Sequence, residues 1–168
     1  MRRRVAGGQA TVEFALVFGA VLLPVTLMLI STAQLLWVWH SISELTRNGA
    51  RYAATHCWQS GAQNVINYMR ANVPPTVDHD RFSEGEADIG VQYFSRDAES
   101  GALTEFACDG GDCSTMCIPD TVTVRVTNYA FRGLTTYLGL PEVVIPAFET
   151  SLPMESAGCD SEQAICEP

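Results

Sequence analysis

Lysine is absent from the 168 residues, and ten arginines face 19 aspartates and glutamates, for a net charge of −9. Three of the arginines, Arg2, Arg3 and Arg4, stand at the very start, so residues 5–168 carry seven basic against 19 acidic groups, or −12. A body this acidic repels a phosphate backbone, which is held through basic residues, and a nucleic-acid partner is excluded. Histidine is equally scarce: His40, His56 and His79 stand at no metal-ligand spacing. His56 abuts Cys57, but successive helical side chains point in different directions, which argues against a Cys-His nucleophile. There is no Gly-rich phosphate loop and no Gly-x-Ser-x-Gly elbow. The stretch Asp109-Gly110-Gly111-Asp112 lacks the ligand run of a calcium loop and reads as a tight acidic turn. Catalysis and a cofactor are therefore not expected. The 47% hydrophobic content excludes long disorder, and no repeat or low-complexity tract is present.

Charge is missing most conspicuously between Phe14 and Trp39, a run of 26 residues. As a helix it reaches roughly 39 Å, more than the ~30 Å hydrocarbon core of a bilayer, and it reads as a membrane span over about 14–39. Arg2–Arg4 precede the run and Glu44 follows it. The positive-inside rule then places the N-terminus in the cytoplasm and the bulk of the chain outside. Trp37 and Trp39 fall at the outer interface, with plain helix packing as the competing role, and His40 lies at the same boundary. Pro24 lies mid-span, where it removes a helical hydrogen bond and favours a kink. A secretory signal cut after Ser31-Thr32-Ala33, releasing an enzyme or other domain from Gln34, is the rival. Against it, the apolar run continues through Trp39 and an acid, Glu13, stands at its mouth.

Six cysteines, Cys57, Cys108, Cys113, Cys117, Cys159 and Cys166, suit a translocated domain with up to three disulfides. They allow 15 connectivities, among which sequence does not choose. Cys159 and Cys166 can close a small C-terminal loop, and the crowding of Cys108, Cys113 and Cys117 argues that one of them bonds elsewhere. The spacings lack the paired C-x-x-C knuckles of a zinc site.

Beyond the span, Ile42, Leu45, Gly49, Tyr52 and Ala53 recur at helical spacing, opposite Glu44, Arg47, Asn48 and Arg51. One helix from about 10 to 56 is predicted, with Glu44 paired to Arg47 or Arg51 and its outer stripe covering a sheet. Residues 62–72 form a second helix that stops before Pro74-Pro75. Residues 76–88, with five acids, read as a solvated loop. Alternation predicts strands over Ile89–Phe94 and Thr121–Thr127. A third runs from Val143 to Leu152, and Pro146 pushes it to a sheet edge. Residues 133–141 are an apolar loop or short helix, and the tail from Ser156 is polar and acidic. The fold class is α+β: a long N-terminal transmembrane and amphipathic helix packed on a small antiparallel sheet, with disulfide-stapled loops.

Glu13 is the most informative residue. A carboxylate at the edge of a membrane helix is costly unless neutralised or in reach of headgroups, and such residues mark function by default. Upstream, Gly7-Gly8 ends a short basic leader; after a cut following Gly8, Gln9 is residue one and Glu13 residue five. This arrangement resembles a type IV pilin-like precursor. The run GGQATVEFALVFGAVLLPVTLMLI followed by ELTRNGARYAA resembles the TadE-like family in particular, the minor pilin-like proteins of the Tad (tight adherence) pilus. DTVTVRVTNYAFRGLTTYLGL and VVIPAFETSLPMES are weakly similar to that family's C-terminal strands; residues 58–120 and the cysteines are not part of the pattern.

The resemblance implies three regions: a leader over 1–8, a long helix over 9–56, and a periplasmic or extracellular domain over 57–168. It implies cleavage between Gly8 and Gln9 by a membrane prepilin peptidase acting on this chain. It further implies pairing of Glu13 with the α-amine of a neighbouring subunit, a favourable arrangement at low dielectric. Gln9 stands where type IV pilins usually carry Phe. The implied partners are other minor pilin-like subunits, the major pilin, the prepilin peptidase, the inner-membrane assembly platform and membrane lipid. The implied function is pilus assembly, priming or tip formation, and so surface adhesion. The implied location is the bacterial inner membrane and then the cell surface. The alternative is a single-pass, membrane-anchored binding module that never enters a filament.

Overall fold

The computed structural model describes residues 8–133, 136, 139, 141–155, 157–160, 165 and 166. The leader before Gly8 and most of 133–141 thus lie outside the described residues. The chain forms two compact units, Met1–Trp37 with Arg132–Glu142, and Val38–Phe131 with Val143–Pro168.

Helical backbone runs from Gln9 to Thr55, as α1 (Gln9–Val17), one π-helical turn (Phe18–Leu22) and α2 (Leu23–Thr55). The π-turn has a local cause. Pro24 has no N–H, and its ring clashes with the carbonyl four residues back in a regular helix. Widening the turn just before it, so that the Leu23 N–H reaches the Phe18 carbonyl, relieves that clash. Such a turn together with a proline is a recognised source of helix bending.

In the second unit, Val38, Ile42, Leu45, Thr46, Gly49, Ala50, Ala53 and Ala54 form a buried stripe on α2. Arg47, Asn48 and Arg51 stay exposed, and Arg47 pairs with Glu44 at 2.8 Å. The four-stranded sheet is antiparallel, in the order β2 (Leu103–Glu105), β1 (Asp88–Arg96), β3 (Thr121–Thr127), β6 (Phe148–Pro153). Central β3 buries Val122, Val124 and Val126 completely or nearly so. These valines register with Tyr93, Val91 and Ile89 on one side and with Leu152, Thr150 and Phe148 on the other. Trp39 of α2 meets Phe148 edge-on, with centroids 5.0 Å apart, and the Glu155 N–H donates to the Ala54 carbonyl at 3.2 Å. The helix stripe and the sheet therefore join as expected.

A glycine interior to a helix loses stability relative to alanine unless packing needs it. At Gly49 packing does: a Cβ there would stand 2.5 Å from Met69 Sδ of α3 (Gln63–Ala71), and Met69 is fully buried. Tyr52 and Tyr68 stack across the same contact at 4.0 Å. Gly49→Val is expected to cost about 1–3 kcal/mol through overpacking, read as a lower midpoint in urea unfolding followed by circular dichroism.

Three expectations are revised. The acidic stretch 76–88 is not simply a solvated loop. Asp78 accepts from the Asp80 N–H and starts a short helix, α4 (His79–Ser83), whose Phe82 is buried and meets Tyr129 at 5.9 Å. Buried Arg81 is neutralised by Glu86 at 3.0 Å and Asp78 at 3.8 Å, so two of the acids serve a buried cation. The strand expected over 143–152 is broken at Pro146 into β5 (Val143–Val144), paired with β4 (Ala130–Phe131), and β6 at the sheet edge. Finally, β2 was not foreseen. It follows a turn in which Asp97 accepts from Ser100 N, Ser100 Oγ and Glu99 N, bonds that hold its carboxyl below the usual carboxylate range. Gly101 supplies a positive φ of 70°. Asp97-x-x-Ser100-Gly101 is a readable turn signal.

Burial in β1 leaves the Tyr93 hydroxyl without a partner and pushes its pKa up to about 12. An orphaned buried hydroxyl costs about 1–3 kcal/mol, so Tyr93→Phe is expected to raise the thermal midpoint. Wild-type Tyr93 holds its proton when folded and releases it when unfolded between about pH 10 and 12. Stability therefore falls across that window by roughly 2–3 kcal/mol, and a thermal melt series on Tyr93→Phe is expected to show a shallower alkaline decline.

Candidate functional site

The predicted site residues at the N-terminus lie on one exposed helix. Gly8 occupies the N-cap in an ordinary right-handed conformation (φ −95°, ψ −20°), and its carbonyl accepts from Val12 N at 3.2 Å. A Cβ at Gly8 would meet nothing within 4 Å. Neither backbone geometry nor packing requires glycine here. One turn on, the Gln9 carboxamide donates to Glu13 Oε1 at 3.0 Å. Among the described residues only one carboxylate oxygen is engaged in this way, and Glu13 Oε2 meets no donor there. No residue of α1 or the π-turn is buried; Phe14, Leu16 and Val17 are exposed by 60–70%. A helix that is apolar all round and uncovered is suited to lipid or to other helices. By length and composition the Gln9–Thr55 helix is able to cross a membrane. Thr26 and Thr32 donate their hydroxyls to Leu22 O and Met28 O one turn back, which lowers the cost of carrying them in lipid. Trp37 is exposed, and Trp39 is partly engaged with Phe148.

The six cysteines form three disulfides: Cys57–Cys113, Cys108–Cys117 and Cys159–Cys166. One of the crowded trio does bond elsewhere, and the C-terminal pair closes its small loop between β7 (Cys159–Asp160) and β8 (Ile165–Cys166). Cys57–Cys113 ties the loop to the segment just after α2, where three further contacts support it. The Cys113 N–H donates to Trp58 O at 2.9 Å, Ser60 N–H donates to Asp112 Oδ1 at 2.8 Å, and Trp58 meets Phe106 edge-on at 5.3 Å. The acidic turn thus serves as an anchor through Asp112. At Gly110 a Cβ would stand 2.8 Å from Cys117 Sγ, so glycine is needed for the loop to close.

His56 does not activate a thiolate, because Cys57 is oxidised. Its ring stacks on Tyr52 at 3.6 Å and its Nδ1 lies 2.8 Å from Tyr52 O. Among the described residues no group of three His, Cys, Asp or Glu side chains is placed to hold a metal ion. An open depression of about 360 Å³ is lined by Arg51, Ala54, Thr55, Leu152, Pro153 and Glu155; it contains none of the predicted site residues.

The helix now has a counterpart among known proteins. Residues 8–51 match the family of TadE-like proteins. The TadE-like segment begins at Gly8 and takes in α1, the π-turn and α2 as far as Arg51, and the likeness of this segment suggests a Tad pilus-associated, pilin-like protein. All six cysteines and the whole sheet lie outside the match, as do the two runs resembling the family's C-terminal strands. No curated protein and no solved structure matches the chain.

Proposed function

We propose that this chain is a minor pilin-like subunit of a Tad-type pilus, anchored in the bacterial inner membrane until it is assembled. A prepilin peptidase removes residues 1–8 at the cytoplasmic face, Gln9 acquires the new α-amine, and Glu13 pairs with the α-amine of a neighbouring subunit. Residues 57–168 face the periplasm and then the exterior. There they meet other minor subunits and the major pilin during assembly, priming or tip formation, and so support surface adhesion.

The observation that carries this reading is the glycine at the first residue of the TadE-like match, in a right-handed conformation with open space around its Cβ position. Glycine suits a helix N-cap, but Ser, Thr, Asp or Asn suits it as well or better; a peptidase that must admit the scissile bond is a chemical reason for glycine in particular. The open oxygen of Glu13 and the uncovered apolar helix support the same reading. The test is Gly8→Val, co-expressed with a prepilin peptidase. The variant is expected to insert and fold as wild type does but to stay full length on a gel that resolves the leader. Cleavage of Gly8→Val at the wild-type rate would contradict the proposed processing.

A further inference from the structure

Cleavage after Gly8 leaves two groups that react with each other on a single residue. An N-terminal glutamine carries an α-amine and, at the end of its own side chain, a carboxamide, and together they close a five-membered ring. The amine nitrogen bonds to Cδ, the Cδ–Nε2 bond breaks, and Nε2 departs as ammonia with the proton that the amine gives up. The product, pyroglutamate, is uncharged, and the reaction consumes no oxidant or cofactor.

In the structure one contact stands in the way. Gln9 Nε2, the atom that must depart, donates to Glu13 Oε1 at 3.0 Å. A side chain that reaches the carboxylate four residues on is not curled onto its own nitrogen, so ring closure waits until that bond opens. Donation to a carboxylate also leaves more electron density on Nε2, which strengthens the amide and makes Cδ a poorer target. Both residues are exposed on α1, so this bond, and not packing, restrains the carboxamide. A driving force is present as well. The helix begins at Gln9, and an ammonium there faces the positive end of the helix dipole; cyclisation removes that charge.

We propose that Gln9 of the processed chain is a self-blocking site, which cyclises to pyroglutamate, and that Glu13 is a positioning residue that delays the reaction by holding the carboxamide. The inference rests on the cleavage proposed above, and it gives Glu13 a task within its own chain besides the pairing with a neighbour. The consequence is a limited lifetime for an unassembled subunit. Once cyclised, it no longer offers the α-amine that a neighbour's Glu13 takes up.

The test follows the chain, co-expressed with a prepilin peptidase and purified into phosphatidylcholine vesicles, over days of incubation. Because the sequence has no lysine, an amine-reactive dye labels the N-terminal α-amine alone. Dye uptake falls as the ring closes, while the intact mass falls by one ammonia. Wild-type chain is expected to change slowly, and Glu13→Ala about fivefold faster, the factor for giving up one exposed hydrogen bond. Glu13→Gln keeps an oxygen acceptor of the same reach and is expected to keep most of the delay even though its charge is gone. That result separates holding the carboxamide from charge pairing. Gln9→Asn, whose side chain is one carbon too short for this ring, is expected to keep its dye uptake. Processed Glu13→Ala that loses neither ammonia nor dye uptake overturns the site. Equal rates in wild type and Glu13→Ala overturn the role of Glu13 and leave the cleavage intact. Wild-type chain whose mass still includes residues 1–8 overturns the cleavage and this inference together.

Discussion

Replacing Glu13 with alanine is expected to stop the chain entering filaments while leaving its membrane insertion unchanged. The reason is electrostatic. A carboxylate and an α-ammonium about 4 Å apart attract by about 4 kcal/mol at an effective dielectric of 20. Removing one member of a desolvated pair leaves the other uncompensated, at a cost of about 3–5 kcal/mol. That corresponds to more than a hundredfold loss in association. Glu13→Gln separates charge from shape: it keeps a hydrogen-bonding group beside Gln9 and removes the charge, so it is expected to fail as Glu13→Ala does. The measurement is the amount of chain in sheared filaments against the membrane fraction, by immunoblot. Filament entry by Glu13→Gln at the wild-type level would show that hydrogen bonding, not charge, fits this position.

The second large effect concerns the disulfide-bonded unit. Cys57–Cys113 spans 56 residues, and Cys108–Cys117 spans nine. In the chain-entropy description, the longer closure restricts the unfolded chain by about 4 kcal/mol and the shorter by about 2.7 kcal/mol. The double variant Cys57→Ser/Cys113→Ser is therefore expected to lose on the order of 10 °C in thermal midpoint, and Cys108→Ser/Cys117→Ser less. The contacts of Asp112 with Ser60 and of Cys113 with Trp58 also depend on the first bridge, which reinforces the ranking. Near-ultraviolet circular dichroism of the detergent-solubilised chain gives both midpoints; the opposite order would contradict this account.

The helix was legible because its signals are local and redundant. An uncharged run, a stripe from Ile42 to Ala53 and the pair Glu44–Arg47 all follow from helical periodicity, and the helix ends at Thr55, one residue from the expected limit. The valines of β3 were legible for the same reason, by strict alternation. Elements that depend on partners far along the chain were not. Val143–Val144 pairs with Ala130–Phe131, and α4 exists because Phe82 and Arg81 have a buried place to go. The π-turn at Phe18–Leu22 is a middle case, since Pro24 announced a disturbance but not its form. Cysteine pairing was open because connectivity is a property of the closed fold. At the proposed site, Gly8, Gln9 and Glu13 stand out through their spacing before the apolar run and through the resemblance to pilin-like precursors. What the structure adds is the absence of any packing reason for Gly8 and the hydrogen bond that leaves one oxygen of Glu13 unused.

The filament account proposed for this chain follows from a new N-terminus at Gln9. Intact mass spectrometry of the protein isolated from cells carrying the pilus system tests this most directly. The account predicts a chain lighter by residues 1–8, with three disulfides in place. A chain that retains Arg2, Arg3 and Arg4 would contradict it, leaving an anchored exterior domain that is not built into a filament.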